Sequence, residues 1–146
     1  MAWFNLWQWL PCLFCGIQRA THHRLCEACW RQLPWDQQTQ TRHGITFTAS
    51  CYYQYPISQA LAKFKDQADL QFLPLFVGCL LQLPKPNVQA IIPMPLSTEK
   101  LIQRGFSQTH LLAQTLSKHW QLPIWQPLAR HHRHSQRGLD RAQRLE

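Results

Sequence analysis

Two CxxC pairs, Cys12 with Cys15 and Cys26 with Cys29, stand a short spacer apart near the start of the chain. Each pair can set two sulfurs on one side of a tight turn. Two such knuckles facing each other complete a tetrahedral shell around Zn²⁺. A metal-closed knuckle folds without a large core and leaves the rest of the chain free for a different activity. Disulfides would need an oxidising compartment. Residues 1–10 are apolar and Trp-rich but have neither the basic n-region nor the small-residue cleavage site of a signal peptide. A thioredoxin-like redox motif is single, whereas this one is paired. His22 and His23 lie between the pairs and could replace a sulfur; with four cysteines present they read as solvated loop residues. Cys51 and Cys79 have no CxxC partner and read as small buried thiols.

The length of 146 residues suits one domain, or a small metal module joined to a domain of about a hundred residues. A hydrophobic content of 45% is enough for a core. No apolar run approaches the roughly 20 residues of a membrane helix, so a cytoplasmic protein without a membrane span is expected. The formal charge of +8 favours anionic partners, but charge alone does not choose among nucleic acid, phosphate esters and pyrophosphate. Arg130, Arg133, Arg137, Arg141 and Arg144 crowd the end of the chain among His131, His132 and His134, opposed by Asp140 and Glu146. Such a stretch is either a solvated tail or an anion-binding loop, and the guanidinium fork suits phosphate.

Composition shifts near residue 40, dividing a module at 1–40 from a second unit at 41–146, with the polar stretch Asp36 to His43 as a linker. From Ile45 through Phe47, Ala49, Cys51 and Tyr53 the apolar residues alternate, the period of a half-buried strand. Ser58 is a candidate N-cap for a helix through Leu61, Ala62 and Phe64, and Pro74 fits the first turn of a helix from Leu73 to Leu83. Val88 to Met94 reads as a buried parallel strand and Pro95 to Gly105 as a polar loop. Ser107 can cap a helix with Leu112, Ala113, Leu116 and Trp120 on one face, followed by a strand from Ile124 to Leu128. Strand, loop, helix, strand is the order of a parallel crossover, so an α/β sheet is expected, with ligands near the carboxyl ends of its strands.

The sequence Ile91-Ile92-Pro93-Met94-Pro95-Leu96, then Lys100-Leu101, Arg104-Gly105-Phe106-Ser107-Gln108 and Leu111-Leu112-Ala113, closely resembles the ComF family. The resemblance includes the cysteine pairs with Trp30, Leu33 and Pro34, the Phe64-Lys65 patch, and Gln136, Leu139, Arg141 and Arg144. It implies an N-terminal zinc-ribbon-like module followed by a type I phosphoribosyltransferase-like parallel sheet with helices. Under it, Lys100, Arg104, Gly105, Phe106, Ser107 and Gln108 form a pyrophosphate loop, and Arg130, Gln136, Arg141 and Arg144 belong to a flexible loop that closes over the phosphoribosyl donor. Two positions depart from the family pattern. Ser107 stands where Asn is usual, and Glu99 stands where a basic residue is common.

The resemblance also implies a later strand ending in paired acidic residues, with a Thr/Gly-rich loop, which would bring Mg²⁺ and the ribose phosphate into place. Asp66 and Asp69 lie well upstream and Asp140 is isolated among arginines, so the sequence reads as the front part of such a protein, truncated at its C-terminus. The expected sheet is correspondingly incomplete, and independent catalysis is not expected. The alternative is a non-catalytic module for single-stranded nucleic acid, DNA during competence above all, or for competence proteins. Trp30 and Trp35 would then stack bases instead of covering the core of the metal module.

Overall fold

The computed structural model describes residues 9–130. It is a mixed α/β fold with a two-stranded sheet, helices and a cluster of four cysteines. The first knuckle turns back at Cys12 to Gly16. The Gly16 amide donates to the Cys12 carbonyl (2.9 Å), the Cys12 amide donates to Gln18 (2.8 Å), and Gly16 has the φ of +66° that the turn requires. The second knuckle is prepared by a tight reversal in which His22 and Leu25 exchange backbone hydrogen bonds of 2.8 and 2.7 Å across the left-handed residues His23 and Arg24. Cys26 then caps α1 (Glu27–Arg31), whose first turn carries Cys29.

The stretch expected to be a linker is a strand. β1 (Thr39–Arg42) pairs antiparallel with β2 (Ile45–Thr48) through His43 and Gly44, both at positive φ, the geometry of a two-residue hairpin turn. Alternation in β2 is real, with Thr46 and Thr48 hydrogen-bonded to Thr41 and Thr39 on one side (3.1 Å each) and Ile45 and Phe47 on the other. Burial is not half-sided as expected, since all four β2 residues are exposed; Arg42 lies over the Phe47 ring instead. The ribbon runs on through Asp36 with Ser50 and a Trp35–Cys51 bridge, which brings it back to the core.

α2 (Ile57–Asp66) begins one residue before the expected cap. Pro56 is its N-cap, after a cis Tyr55–Pro56 peptide, because the Ser58 amide already donates to Gln54 (2.9 Å) and so belongs inside the helix. It buries Ile57, Ala60 and Phe64, one stripe at helical spacing. A 3₁₀ turn (Leu70–Phe72), capped by the Asp69 carboxylate on the Gln71 amide, leads into α3 (Leu73–Leu81), with Pro74 in its first turn as expected. α3 is buried over Leu75 to Cys79, which makes it the central helix.

The polar loop is a helix for most of its length. α4 (Thr98–Arg104) is built from good helix formers and ended by Gly105 at φ +76°. α5 (Gln108–Trp120) starts where expected, the Ser107 hydroxyl accepting from the His110 amide at 3.3 Å, and it packs on α3. The two expected parallel strands meet at a single parallel bridge between Ile91 and Ile124. The Ile91 amide donates to Pro123 and the Trp125 amide to Ile91, each at 2.9 Å. Ile92, Met94 and Trp125 beside it are exposed, so among the described residues no neighbouring strand extends the ladder or buries these side chains.

One core runs through all of this. Cys12, Leu25, Cys26 and Leu33 share a cluster with Ile57, Ala60, Phe64, Phe72, Leu75, Phe76 and Cys79. The Phe64 ring lies 5.3 Å from Phe76 and 5.9 Å from Phe106. Arg24 is buried and donates to the Gln71 side chain at 3.0 Å, a second tie between the cysteine module and the approach to α3.

His23 is wedged against α3 at Gly78, where a Cβ would fall 2.2 Å from its Cγ and 2.8 Å from its Cβ. Burial, then the nearby His22 and His119, hold the His23 imidazole below its ordinary pKa. Because the wedge cannot swing clear at its own Cβ, Gly78→Ala is expected to destabilise the fold by about 1–3 kcal/mol in urea titration. The pH dependence has a definite sign. A neutral His23 in the fold adds stability above the unfolded imidazole's range, and that stability is lost as pH falls below about 6.5. The urea midpoint of the parent should therefore fall relative to that of His23→Phe as pH drops below about 6.5.

Candidate metal centre and anion-binding turn

The four thiols meet where the two knuckles face each other. One sulfur atom from each of Cys12, Cys15, Cys26 and Cys29 lies within 4.8 Å of all the others, and Cys15 Sγ is 3.8 Å from Cys26 Sγ. Zinc–thiolate bonds of about 2.3 Å put the sulfurs of a tetrahedron about 3.8 Å apart, whereas a disulfide brings them to about 2.05 Å. The spacing is compatible with a structural zinc site. Cys12 and Cys26 are buried, Cys29 is partly covered and Cys15 is exposed.

Electrostatics make the same point. Hydrogen bonds from the backbone at Gln18 and Ile17 hold the Cys15 thiol down to about 6. Burial, and then the neighbouring Cys26 and Cys12 sulfurs, push Cys29 upward. Four thiolates in so small a space repel one another, and a divalent cation relieves that repulsion and favours their deprotonation.

Neither histidine between the pairs joins the cluster. His22 Nε2 bonds the Glu27 carboxylate, which Arg31 also pairs, and His23 is against Gly78. Trp30 is packed between these imidazoles and Trp35, whose ring centroid is 5.0 Å away edge-on. Both tryptophans rest against the core. Cys51 and Cys79 are free thiols outside the group of four, Cys79 buried in the core and Cys51 packed against it.

The residues expected to bind pyrophosphate gather at the junction of α4 and α5. Lys100 is in α4 and Arg104 is its last residue; Gly105 is the left-handed C-cap with open space beside its Cα, and Ser107 caps α5. Phe106 turns inward onto Phe64. Gln108 is 4% exposed, donates to the Lys65 carbonyl and accepts from Arg104 Nη1, both at 3.3 Å. Arg104 Nη2 reaches Asp66 Oδ1 at 3.3 Å. Asp66 is the participant that sequence reasoning missed. It lies 38 residues upstream of Arg104, and no spacing pattern predicts that meeting. Glu99 sits in the first turn of α4, where a carboxylate suits the helix dipole.

Arg130 is exposed, while Gln136, Arg141 and Arg144 lie outside the described residues. No helix among the described residues is long and apolar enough to cross a membrane.

Two curated proteins are similar over 92% of the chain. Competence protein ComFC of Bacillus subtilis is 27% identical over 140 residues, and competence protein F of Haemophilus influenzae is 30% identical over 149 aligned positions. The chain spans 55% of the first and 61% of the second. No protein-family model matches the chain, and no solved structure matches it.

Metal analysis should find about one zinc per chain. A Cys12→Ser/Cys26→Ser double variant should bring that to near zero and lower the thermal midpoint, since both cysteines also belong to the core. Full metal content in that variant would exclude the four-sulfur site.

Proposed function

With the chain assigned to the ComF family, we propose that it acts in competence as the zinc-bearing, pyrophosphate-side part of a phosphoribosyltransferase-type protein. In this reading Cys12, Cys15, Cys26 and Cys29 hold a structural Zn²⁺, and the turn from Arg104 to Gln108 receives the pyrophosphate of phosphoribosyl pyrophosphate. The observation that carries it is the turn's geometry. A basic side chain and a left-handed glycine stand immediately before the capped N-terminus of a 13-residue helix. Gly105 lets an anion approach the backbone, the positive end of the α5 dipole favours negative charge there, and Arg104 supplies a guanidinium fork.

The chemistry asked of these residues is electrostatic. In donor cleavage the glycosidic carbon becomes cation-like while negative charge gathers on the departing pyrophosphate, and Arg104 with Lys100 would stabilise that charge. Arg130, with Gln136, Arg141 and Arg144, would close over the donor and exclude water. Mg²⁺ would enter through paired acidic residues of the kind this sequence does not carry beside the turn.

Titration calorimetry with phosphoribosyl pyrophosphate should give saturable binding, and Arg104→Ala should weaken it by about tenfold or more, the loss expected for a charge-assisted contact. The competing reading, a single-stranded DNA module, predicts binding of oligonucleotides that falls steeply with salt and does not respond to Mg²⁺ at constant ionic strength. That pattern without donor binding would replace the proposal.

A further inference from the structure

Gln108 is the first residue of α5, so its amide belongs to the helix N-terminus, while the residue as a whole is 4% exposed. Its side-chain amide is held at both ends. Nε2 donates to the Lys65 carbonyl and Oε1 accepts from Arg104 Nη1, each at 3.3 Å. Lys65 stands in the last turn of α2, where carbonyls have no partner within the helix, so the amide nitrogen meets a group that needs a donor. Only one orientation of the amide serves both neighbours, since the carbonyl offers no hydrogen and the guanidinium accepts none. Asp66 Oδ1 stands 3.3 Å from Arg104 Nη2, so both terminal nitrogens are tied. One tie would let the guanidinium plane turn about it, whereas two fix the plane. The Arg104 side chain is nonetheless 20% exposed, and these bonds use only part of its N–H donors.

Resting on the pyrophosphate reading above, we propose that Gln108 is a positioning residue of the turn: its buried side-chain amide does not touch the anion but holds the Arg104 guanidinium in the plane in which the anion meets it. A fork grips a phosphate through two parallel bonds only when its plane is right, and an unheld arginine must be ordered by each ligand that arrives. Here the ordering is done by α5 against the end of α2, before any ligand is present. Glycine at position 105 and the N-terminal amides of α5 remain the anion's backbone contacts. Asparagine at position 108 would be one methylene short of both partners, and glutamate would set a carboxylate against the Lys65 carbonyl. Glutamine is the side chain that meets both demands.

The test is titration of the zinc-loaded 146-residue chain with inorganic pyrophosphate at fixed ionic strength, followed by ³¹P NMR so that millimolar binding is also read. Gln108→Met keeps the length and loses both bonds, and Gln108→Asn stays polar and falls short of both partners. Each should weaken pyrophosphate binding by about threefold to tenfold, the scale of ordering one long side chain. The loss should shrink to less than about twofold in an Arg104→Ala background, and likewise in Arg104→Lys, which keeps a charge but has no fork for Gln108 to hold. A merely looser fold would lower the urea midpoint and cost the same affinity in every background. An equal loss with and without Arg104, or no loss in either Gln108 variant, with the parent binding and Arg104→Ala binding less, would overturn the inference and leave the pyrophosphate site standing. Parent and Arg104→Ala binding alike would remove the site itself, and the role of Gln108 with it.

Discussion

Four sulfurs drawn to within tetrahedral reach of one another are the constraint on which the rest of the structure depends. Left alone, the cluster is unfavourable, because burial, and then the neighbouring sulfurs, raise the cost of ionising Cys29. Held by a divalent cation, the same cluster fixes the relative position of two reversals of chain, one closed by Gly16 and one by the left-handed pair His23 and Arg24. Those reversals place Leu25, with no exposed surface, beneath Cys12 and Cys26 and against the helices that follow. The metal module is therefore a wall of the core as well as a self-sufficient knuckle. His23 on Gly78 and Arg24 on Gln71 are the points at which its position is read by α3 and the turn before it.

What could be read from the sequence was whatever depends on residues close together in the chain. The cysteine spacing, Pro74 in a first turn and Ser107 as a cap are local chemistry, and each stands where expected. The hairpin was also locally encoded, in His43-Gly44 between two alternating runs, but polar composition on the β1 side reads as linker when the turn is not weighed. Thr98 to Arg104 misleads for the same reason. Its residues are polar yet strong helix formers, and Gly105 is a stop signal at its end. The Ile91 and Ile124 segments show the opposite failure. Apolar, β-branched residues predict a strand, but a strand exists only where a neighbour completes its hydrogen bonds, and a single bridge does that here.

Contacts across long stretches of chain were not legible at all. Asp66 with Arg104, Gln108 with the Lys65 carbonyl and His23 with Gly78 join residues that no period or motif relates. In each, a side chain meets an element distant in the chain: Arg104 and Gln108 meet the end of α2, and His23, in the reversal before Cys26, meets α3. The first two also decide how the candidate anion-binding turn is held, which explains why the resemblance to ComF proteins could name residues of the turn but not the carboxylate beside it.

The two candidate sites are connected through α2. Its inward stripe of Ile57, Ala60 and Phe64 lies in the same cluster as Cys12 and Cys26, and Phe64 is also the surface on which Phe106 rests. The carbonyl of Lys65 and the carboxylate of Asp66, the next two residues, are what Gln108 and Arg104 grasp. A helix of ten residues is short enough that one end cannot shift without the other, because packed side chains resist rearrangement. The cysteine cluster and the α4–α5 turn are thus held in a common register through α2. The cysteine module contributes to the turn by fixing the helix that Arg104 and Gln108 grasp.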